Sequence, residues 1–294
     1  MRLISTLLIL IIFRVFSLAQ DFAIEGIVIN SENGTPVSYA SVCLQNETKG
    51  ISTNEKGAFK LILQNKDLQK QIVISAIGYY DTVFSISTLN KNAVNLKLKP
   101  RSYQIPEAVV VVSHKIKTII IDKLRKSIFK QVMMAGPSNP KIVAKNFKYI
   151  EKYDGFYLNE ISIFFDREFD YSIKPKFILR VFAKDTINNT PGKDLISKAL
   201  ITLDKSKPQM HYKYTYKLEN PIKFPKTGLF VGIEWIAIKE NKYNEKRKAY
   251  SPFLAGKYRK RMDNNLWEFY GGSWKLKSPV KDNSEPYIEL RLIK

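Results

Sequence analysis

Glu234 stands inside the apolar run Leu229-Phe230-Val231-Gly232-Ile233-Glu234-Trp235-Ile236, an expensive place for a carboxylate. It is expected either to meet an arginine, a lysine or backbone donors as a structural ion pair, or to serve as an acid in catalysis. Asp166, Glu168 and Asp170 alternate where the strand-like run Leu158 to Phe165 ends. That spacing suits a glycosidase carboxylate pair or a calcium site, and equally a solvated loop. Zinc hydrolysis of the His-x-x-Glu type needs three protein ligands and one open position. The two histidines, His114 and His211, have no glutamate at that spacing. Ser273 in Gly271-Gly272-Ser273-Trp274-Lys275 lacks the second glycine of a nucleophile elbow, so a hairpin turn is expected there. No glycine-rich phosphate loop precedes a helix. The single cysteine, Cys43, lies in the alternating run Ser41-Val42-Cys43-Leu44 and reads as a buried, inert thiol. No catalytic residue, cofactor or metal ligand is assigned, and a non-enzyme is expected.

Side chains suited to binding are easier to find. Tyr212, Tyr214 and Tyr216 fall on one face of a strand, and Trp267, Tyr270 and Trp274 surround the last hairpin. Exposed aromatic faces bind sugars or partner proteins, and core packing is the competing use of the same rings. Lys242, Lys246, Arg247, Lys248, Lys257, Arg259, Lys260 and Arg261 form the densest basic patch, with Arg247, Arg259 and Arg261 as candidate contacts to an anionic lipid or glycan. The whole chain carries 48 Lys+Arg against 27 Asp+Glu, a formal net charge of +21. In an exported protein that charge meets acidic glycan or lipid, and nucleic acid is not expected as a partner.

Export is expected from the first residues. Arg2 precedes the apolar run Leu3 to Phe13, and Ser17-Leu18-Ala19 offers small residues before Gln20. This reads as a signal peptide over residues 1–19, too short for a membrane span. No other stretch is apolar and long enough for a spanning helix, and the product is expected in the periplasm or at the outer membrane.

From Gln20 the hydrophobic period is two. Phe22, Ile24 and Gly26 alternate with polar neighbours, and Asn33-Gly34 is a strong hairpin signal. Asn54 to Gly57 is expected to close a second hairpin, with Gly57 in a left-handed conformation. Short strands follow at Phe59 to Leu63, Ile72 to Ala76, Val83 to Ile86 and Val94 to Leu98. With no helical period over 20–100, the pattern is a small β-sandwich. Gly26-Ile27-Val28, Gly34-Thr35-Pro36-Val37, Lys49 to Phe59 and Ile74-Ser75-Ala76-Ile77-Gly78-Tyr79, in that order, resemble the carboxypeptidase-regulatory-like domain. Ile105-Pro106-Glu107-Ala108-Val109-Val110-Val111 resembles the segment closing that module ahead of the plug in TonB-dependent receptors of Bacteroidetes-type envelopes. The resemblance covers about residues 20 to 112. It implies a prealbumin-like sandwich and no peptidase activity.

Residues 101–140 read as a linker. Ile116, Ile120, Leu124, Ile128 and Val132 recur every four residues with lysines between them, predicting an amphipathic helix that ends at Gly136-Pro137. After Pro140 strand signals return, and residues 141–294 are expected to form a jelly-roll-like β-sandwich. That unit is similar to the sandwich following regulatory-like domains in some short envelope proteins, chiefly over Phe177 to Phe182, Asn189-Thr190-Pro191 and Phe230 to Ile236. Two sandwiches leave no room for a receptor barrel of about twenty-two strands. The expected class is therefore all-β, and the expected function is a non-catalytic envelope adaptor with a protein or glycan ligand. A glycan-directed hydrolase and a peripheral protein held on anionic lipid by its basic surface stand as alternatives.

Overall fold

The computed structural model describes residues 21–89, 93–101, 116–124, 131–134, 136–166, 174–197, 199–204, 211–244, 249–258, 265–277 and 284–294. The chain is all-β, and its only helical elements there are single turns of 3-10 helix. Seven strands build the first unit: β1 (Asp21–Asn30), β2 (Ser41–Leu44), β3 (Gly50–Ser52), β4 (Ala58–Gln64), β5 (Gln71–Ser75), β6 (Thr82–Ser85) and β7 (Val94–Leu98). One sheet runs β4-β1-β7 and the other β3-β2-β5-β6. β1 pairs antiparallel with β4 and parallel with β7. The alternation read from the sequence fills the space between the sheets with Ile24, Val28, Val42, Leu44, Leu61, Leu63, Ile72, Ile74, Leu96 and Leu98.

Asn54 to Gly57 is not a hairpin. β3 pairs with β2 and β4 with β1, so the turn is an arch that carries the chain from one sheet to the other. The Asn54 side chain accepts from the backbone N–H of Lys56 and of Ala58, and Gly57 has φ +74°. A Cβ at that glycine would sit 2.7 Å from the Val28 carbonyl oxygen.

The second unit begins with β8 (Thr118–Ile121) and β9 (Gln131–Met134), followed by β10 (Lys141–Phe147), β11 (Tyr157–Asp166), β12 (Lys176–Lys184), β13 (Pro191–Asp194), β14 (Ala199–Thr202), β15 (His211–Lys223) and β16 (Leu229–Trp235). It closes with β17 (Lys242–Asn244), β18 (Ala249–Tyr250), β19 (Leu254–Tyr258), β20 (Leu266–Tyr270), β21 (Ser273–Leu276), β22 (Ser284–Pro286) and β23 (Ile288–Ile293). One sheet has the order β13-β12-β16-β10-β20-β21, with β14 also on β12. The other runs β22-β19-β11-β23-β8, with β15 on β11 and β9 on β19. Between them lies a large core that includes Val143, Phe147, Ile161, Ile163, Phe165, Phe177, Leu179, Val181, Val231, Ile233, Trp235 and Leu290.

The amphipathic helix expected within 101–140 is overturned. Thr118-Ile119-Ile120-Ile121 is β8, an edge strand paired antiparallel with β23. Residues 131–134 are β9, paired with β19. Three successive isoleucines after a threonine favour a pleated strand over a helix, because branching at Cβ restricts χ1 against the preceding helical turn. Ile119 and Ile121 pack on the second core, and Lys117 and Lys294 exchange two backbone hydrogen bonds of 3.0 Å. Both segments belong to the second sandwich. Ile128 and Phe129 of the proposed helix lie outside the described residues.

β16 is buried along its whole length, because both faces of its sheet are covered. Leu229, Val231, Ile233 and Trp235 enter the core, whereas Phe230 packs with Ile142, Ala144 and Phe182 in a separate cluster on the opposite face. The first sandwich lies over this outer face. Tyr39 packs with Ile178, Ile236 and Ile238. The Ser52 N–H donates to the Ala237 carbonyl at 3.2 Å and the Ala237 N–H to Ser52 Oγ at 2.9 Å. The Asn46 N–H donates to the Gly271 carbonyl at 2.8 Å.

Candidate functional site

Where the sandwiches meet, a recess of about 270 Å³ stays open between them. Ser75, Ala76, Tyr79, Asp81 and Arg101 line it from the first unit, and Arg180, Asp194, Glu234, Phe269 and Trp274 from the second. Its floor is the outer face of the β12-β16-β10 sheet. Arg180 faces Gly232 in the β12–β16 register and Ile178 faces Glu234, so Arg180 and Glu234 are diagonal neighbours on one face. Glycine opposite the arginine leaves room for the neighbouring Phe182 ring. A Cβ at Gly232 would approach the Phe182 ring to 3.2 Å.

The guanidinium is fully engaged. Nε and Nη2 donate to the two oxygens of Asp194 at 2.7 and 2.8 Å, and Nη1 donates to Glu234 Oε2 at 2.5 Å. This fork-to-carboxylate geometry matches the planar donors of arginine. Burial works against the charge of Arg180, but Asp194 and Glu234 outweigh it and hold the group protonated. Its Cζ also lies 4.8 Å from the centre of the Phe182 ring. Glu234, the carboxylate singled out in the sequence, is thus an ion-pair partner, with Arg180 as its cation.

Asp81 sits at the mouth of the recess. The crowded walls raise its carboxyl to about 6, with Arg101 and Arg180 pulling the other way. As a residue it keeps solvent access, so crowding here means flanking walls and not a sealed interior. Arg101 is placed by its own N–H, which donates to the Gly78 carbonyl at 2.8 Å, and its guanidinium stacks 4.6 Å from the Tyr80 ring centre.

Aromatic rings close the second-unit side. β20 and β21 form a hairpin whose Gly271 and Gly272 both have positive φ, +57° and +84°, as a tight primed turn requires. Trp274 meets Phe182 edge-on at 5.3 Å and Phe269 at 5.2 Å. Trp267 packs on the same cluster, and Lys275 Nζ lies 4.4 Å from the Tyr270 ring centre. So the structure brings Trp274 to the recess, places Trp267 behind it and puts Tyr270 at the hairpin end. Tyr214 and Tyr216 are elsewhere, half-buried against the second core. Tyr212, on the same strand β15, pairs with Phe165 of β11, and its side chain lies outside the described residues.

Arg247, Arg259 and Arg261 also lie outside the described residues, as do Glu168, Asp170 and His114. Asp166 ends β11, in the sheet opposite to Glu234. Cys43 is buried, and burial pushes its thiol up to about 11 although Ser41 Oγ at 3.2 Å acts in the opposite sense. Sequence reasoning missed Arg180, Asp194, Asp81 and Arg101. Only Arg180 left a signal, as a lone cation inside the apolar run Phe177 to Phe182.

Two β-sandwiches docked around a charged, aromatic-rimmed recess define the class of protein. Residues 24–111 match the sequence model of the CarboxypepD_reg-like domain, a regulatory-like and not a catalytic module. No curated protein matches. Among solved structures, a protein of unknown function from Bacteroides fragilis, described as membrane-associated, aligns at 10% identity over 74% of this chain and 95% of its own, with a TM-score of 0.22. The major pilin SpaA of Corynebacterium diphtheriae aligns at 8% identity over 93% of this chain and 68% of its own, with a TM-score of 0.17. At those scores neither alignment bears on function.

Proposed function

We propose that this chain is an exported, non-catalytic envelope protein that works as a binding or adaptor module, with the inter-sandwich recess as its ligand contact. The observation that carries the reading is the commitment of Asp194 and Glu234 to Arg180. Hydrolysis of a glycosidic bond uses two carboxyl groups in different protonation states across the scissile bond. In this recess both carboxylates are ion-paired to one guanidinium. What reaches the mouth is Asp81, Arg101 and the edge of Trp274, a set that recognises polar ligands without breaking bonds. The regulatory-like match over 24–111 and the leader-like residues 1–19 support an envelope location. The ligand is an envelope protein or an acidic glycan.

The lipid-bound alternative loses half of its basis, because residues 118–121 form a strand and not a basic helix. In-cell crosslinking followed by affinity capture tests the proposal. The wild type is expected to retain an envelope protein or glycan that an Asp81→Ala, Trp274→Ala double variant loses. Equal capture by both proteins, or none by either, would count against it.

A further inference from the structure

Lys145 projects from β10 into the second sandwich beside the core residues Val143 and Phe147, and its side chain is 2% exposed. Two carboxylates reach its amine there. Asp122 Oδ2 lies 2.5 Å from Lys145 Nζ, and Glu285 Oε1 lies 3.2 Å from the same nitrogen. Glu285 is itself buried, on β22, and also meets Lys257 Nζ at 3.1 Å. Asp122 follows β8 directly and has φ +56°, a backbone conformation that non-glycine residues rarely adopt. A lysine in such a place loses hydration, and its amine is pushed below the ordinary lysine range by burial, against the pull of Glu285 and Asp122. The Phe147 ring centre is 5.3 Å from Nζ, so the amine has an aromatic wall on one side and carboxylates on the other.

We propose that Lys145 and Asp122 form an intramolecular isopeptide bond, with Glu285 as the proton relay. A lysine amine held against a carboxyl group in a water-poor site, with a second carboxyl touching the amine, has the parts that amide formation needs. One proton passes from the Lys145 ammonium to the Asp122 carboxylate, giving a neutral amine and a carboxylic acid. The Nζ lone pair attacks Cγ of Asp122, forming the N–C bond and a tetrahedral centre. Glu285 takes the second amine proton and returns it to the departing hydroxyl, so that the Cγ–O bond breaks and one water leaves. Nothing is oxidised or reduced. The water exits on the Asp122 side, where that side chain is 30% exposed.

The bond has a structural logic. β8 lies at the edge of one sheet and β10 inside the facing sheet, so the amide would staple the two layers of the sandwich together. It would do so where the chain arrives from the first sandwich, closing the stretch between residues 122 and 145. The proposal is independent of any ligand in the recess.

Mass spectrometry of the intact, denatured full chain tests it directly. The expected mass is that of the processed sequence less one water, and digestion should yield a branched peptide joining the segments around Asp122 and Lys145. Asp122→Asn should lose ammonia in place of water, because the leaving group is now an amine. Asp122→Ala should show the full unbridged mass. A wild-type chain at full mass, with Lys145 recovered in a linear peptide, overturns the proposal. So does continued loss of water in the Asp122→Asn protein, which would make another carboxyl the acyl partner.

Discussion

Arg180 and Glu234 stand on paired strands, two residues apart across the register, and their charged ends meet at 2.5 Å on the sheet face that the first sandwich covers. Asp194 completes the arrangement from β13 with two further contacts. A buried cation shared by two acids tolerates the loss of one acid better than its own loss, and that asymmetry can be measured.

Arg180→Met strands the buried Glu234 and the half-buried Asp194 at once, and the cost of such a break is about 3–5 kcal/mol. Glu234→Leu leaves Arg180 its Asp194 fork and an apolar neighbourhood, and should cost clearly less. Thermal unfolding of both variants checks the order. Equal losses would mean that Asp194 alone does not hold the guanidinium.

Asp81 makes the recess sensitive to acid. Its folded carboxyl is raised to about 6, above the ordinary value of 3.8, so the folded chain binds this proton more tightly than the unfolded one. The penalty for ionising it is complete above about pH 6 and is relieved as pH falls towards 4. Asp81→Asn should therefore raise the melting temperature at pH 7 and converge with the wild type near pH 4. Melting scans of both proteins across that range provide the check, and a constant difference would contradict the assignment.

Asp67 behaves in the opposite sense. Burial alone would raise it, but Lys70, the Gln64 N–H and Lys49 bring its carboxyl down to about 2. Its stabilisation is present above about pH 4 and fades as pH falls towards 2. Asp67→Asn should lower the melting temperature at neutral pH, with the gap to wild type closing in acid.

Cys43 should resist thiol reagents until the two sandwiches separate, because Val42 and Leu44 point between the sheets and Cys43 lies on the outer face of β2, where Gly271 meets it. Its sulfur is buried in β2, and a Cβ at Gly50 would come within 2.3 Å of it. Labelling rates measured against denaturant should follow that separation. Rapid labelling of the native chain would contradict this packing.

Much of the first sandwich was legible from alternation alone, as in β4, where Phe59, Leu61 and Leu63 are buried and Lys60 and Ile62 exposed. The arch at Asn54–Gly57 was not. A polar turn with one positive-φ glycine looks the same whether the flanking strands pair with each other or with partners elsewhere. The helix reading failed at Ile116, Ile120 and Leu124, because a four-residue spacing over so few residues also fits an alternating strand. Glu234 announced that it needed a cation, but the identity of Arg180 depends on β12 and β16 being neighbours, which no local pattern encodes. Asp81, Arg101 and Asp194 join the recess through the docking of two units, so their surroundings exist only in three dimensions.

The docking itself rests on few polar contacts and a small apolar seam. Gly271 shows how close the units come: a Cβ there would lie 2.7 Å from the backbone nitrogens of Asn46 and Glu47. Its φ of +57° adds strain for any other residue. Gly271→Val should force the units apart without unfolding either, and small-angle scattering should record a larger radius of gyration. Lys176 Nζ also contacts Glu55 across the seam and lies 3.2 Å from the hydroxyl of the buried Tyr39, but the Glu55 carboxylate is solvent-accessible, so salt should weaken this ion pair without opening the seam.

Hydrogen exchange at the Asn46, Ser52 and Ala237 amides tests the docked arrangement most directly, since each donates across the seam. Slow exchange at all three in the intact chain, accelerated together by Gly271→Val while the strand interiors stay protected, is the predicted result. Exchange at these amides as fast as in an open loop would show that the sandwiches do not hold each other, and the recess between them would go with it.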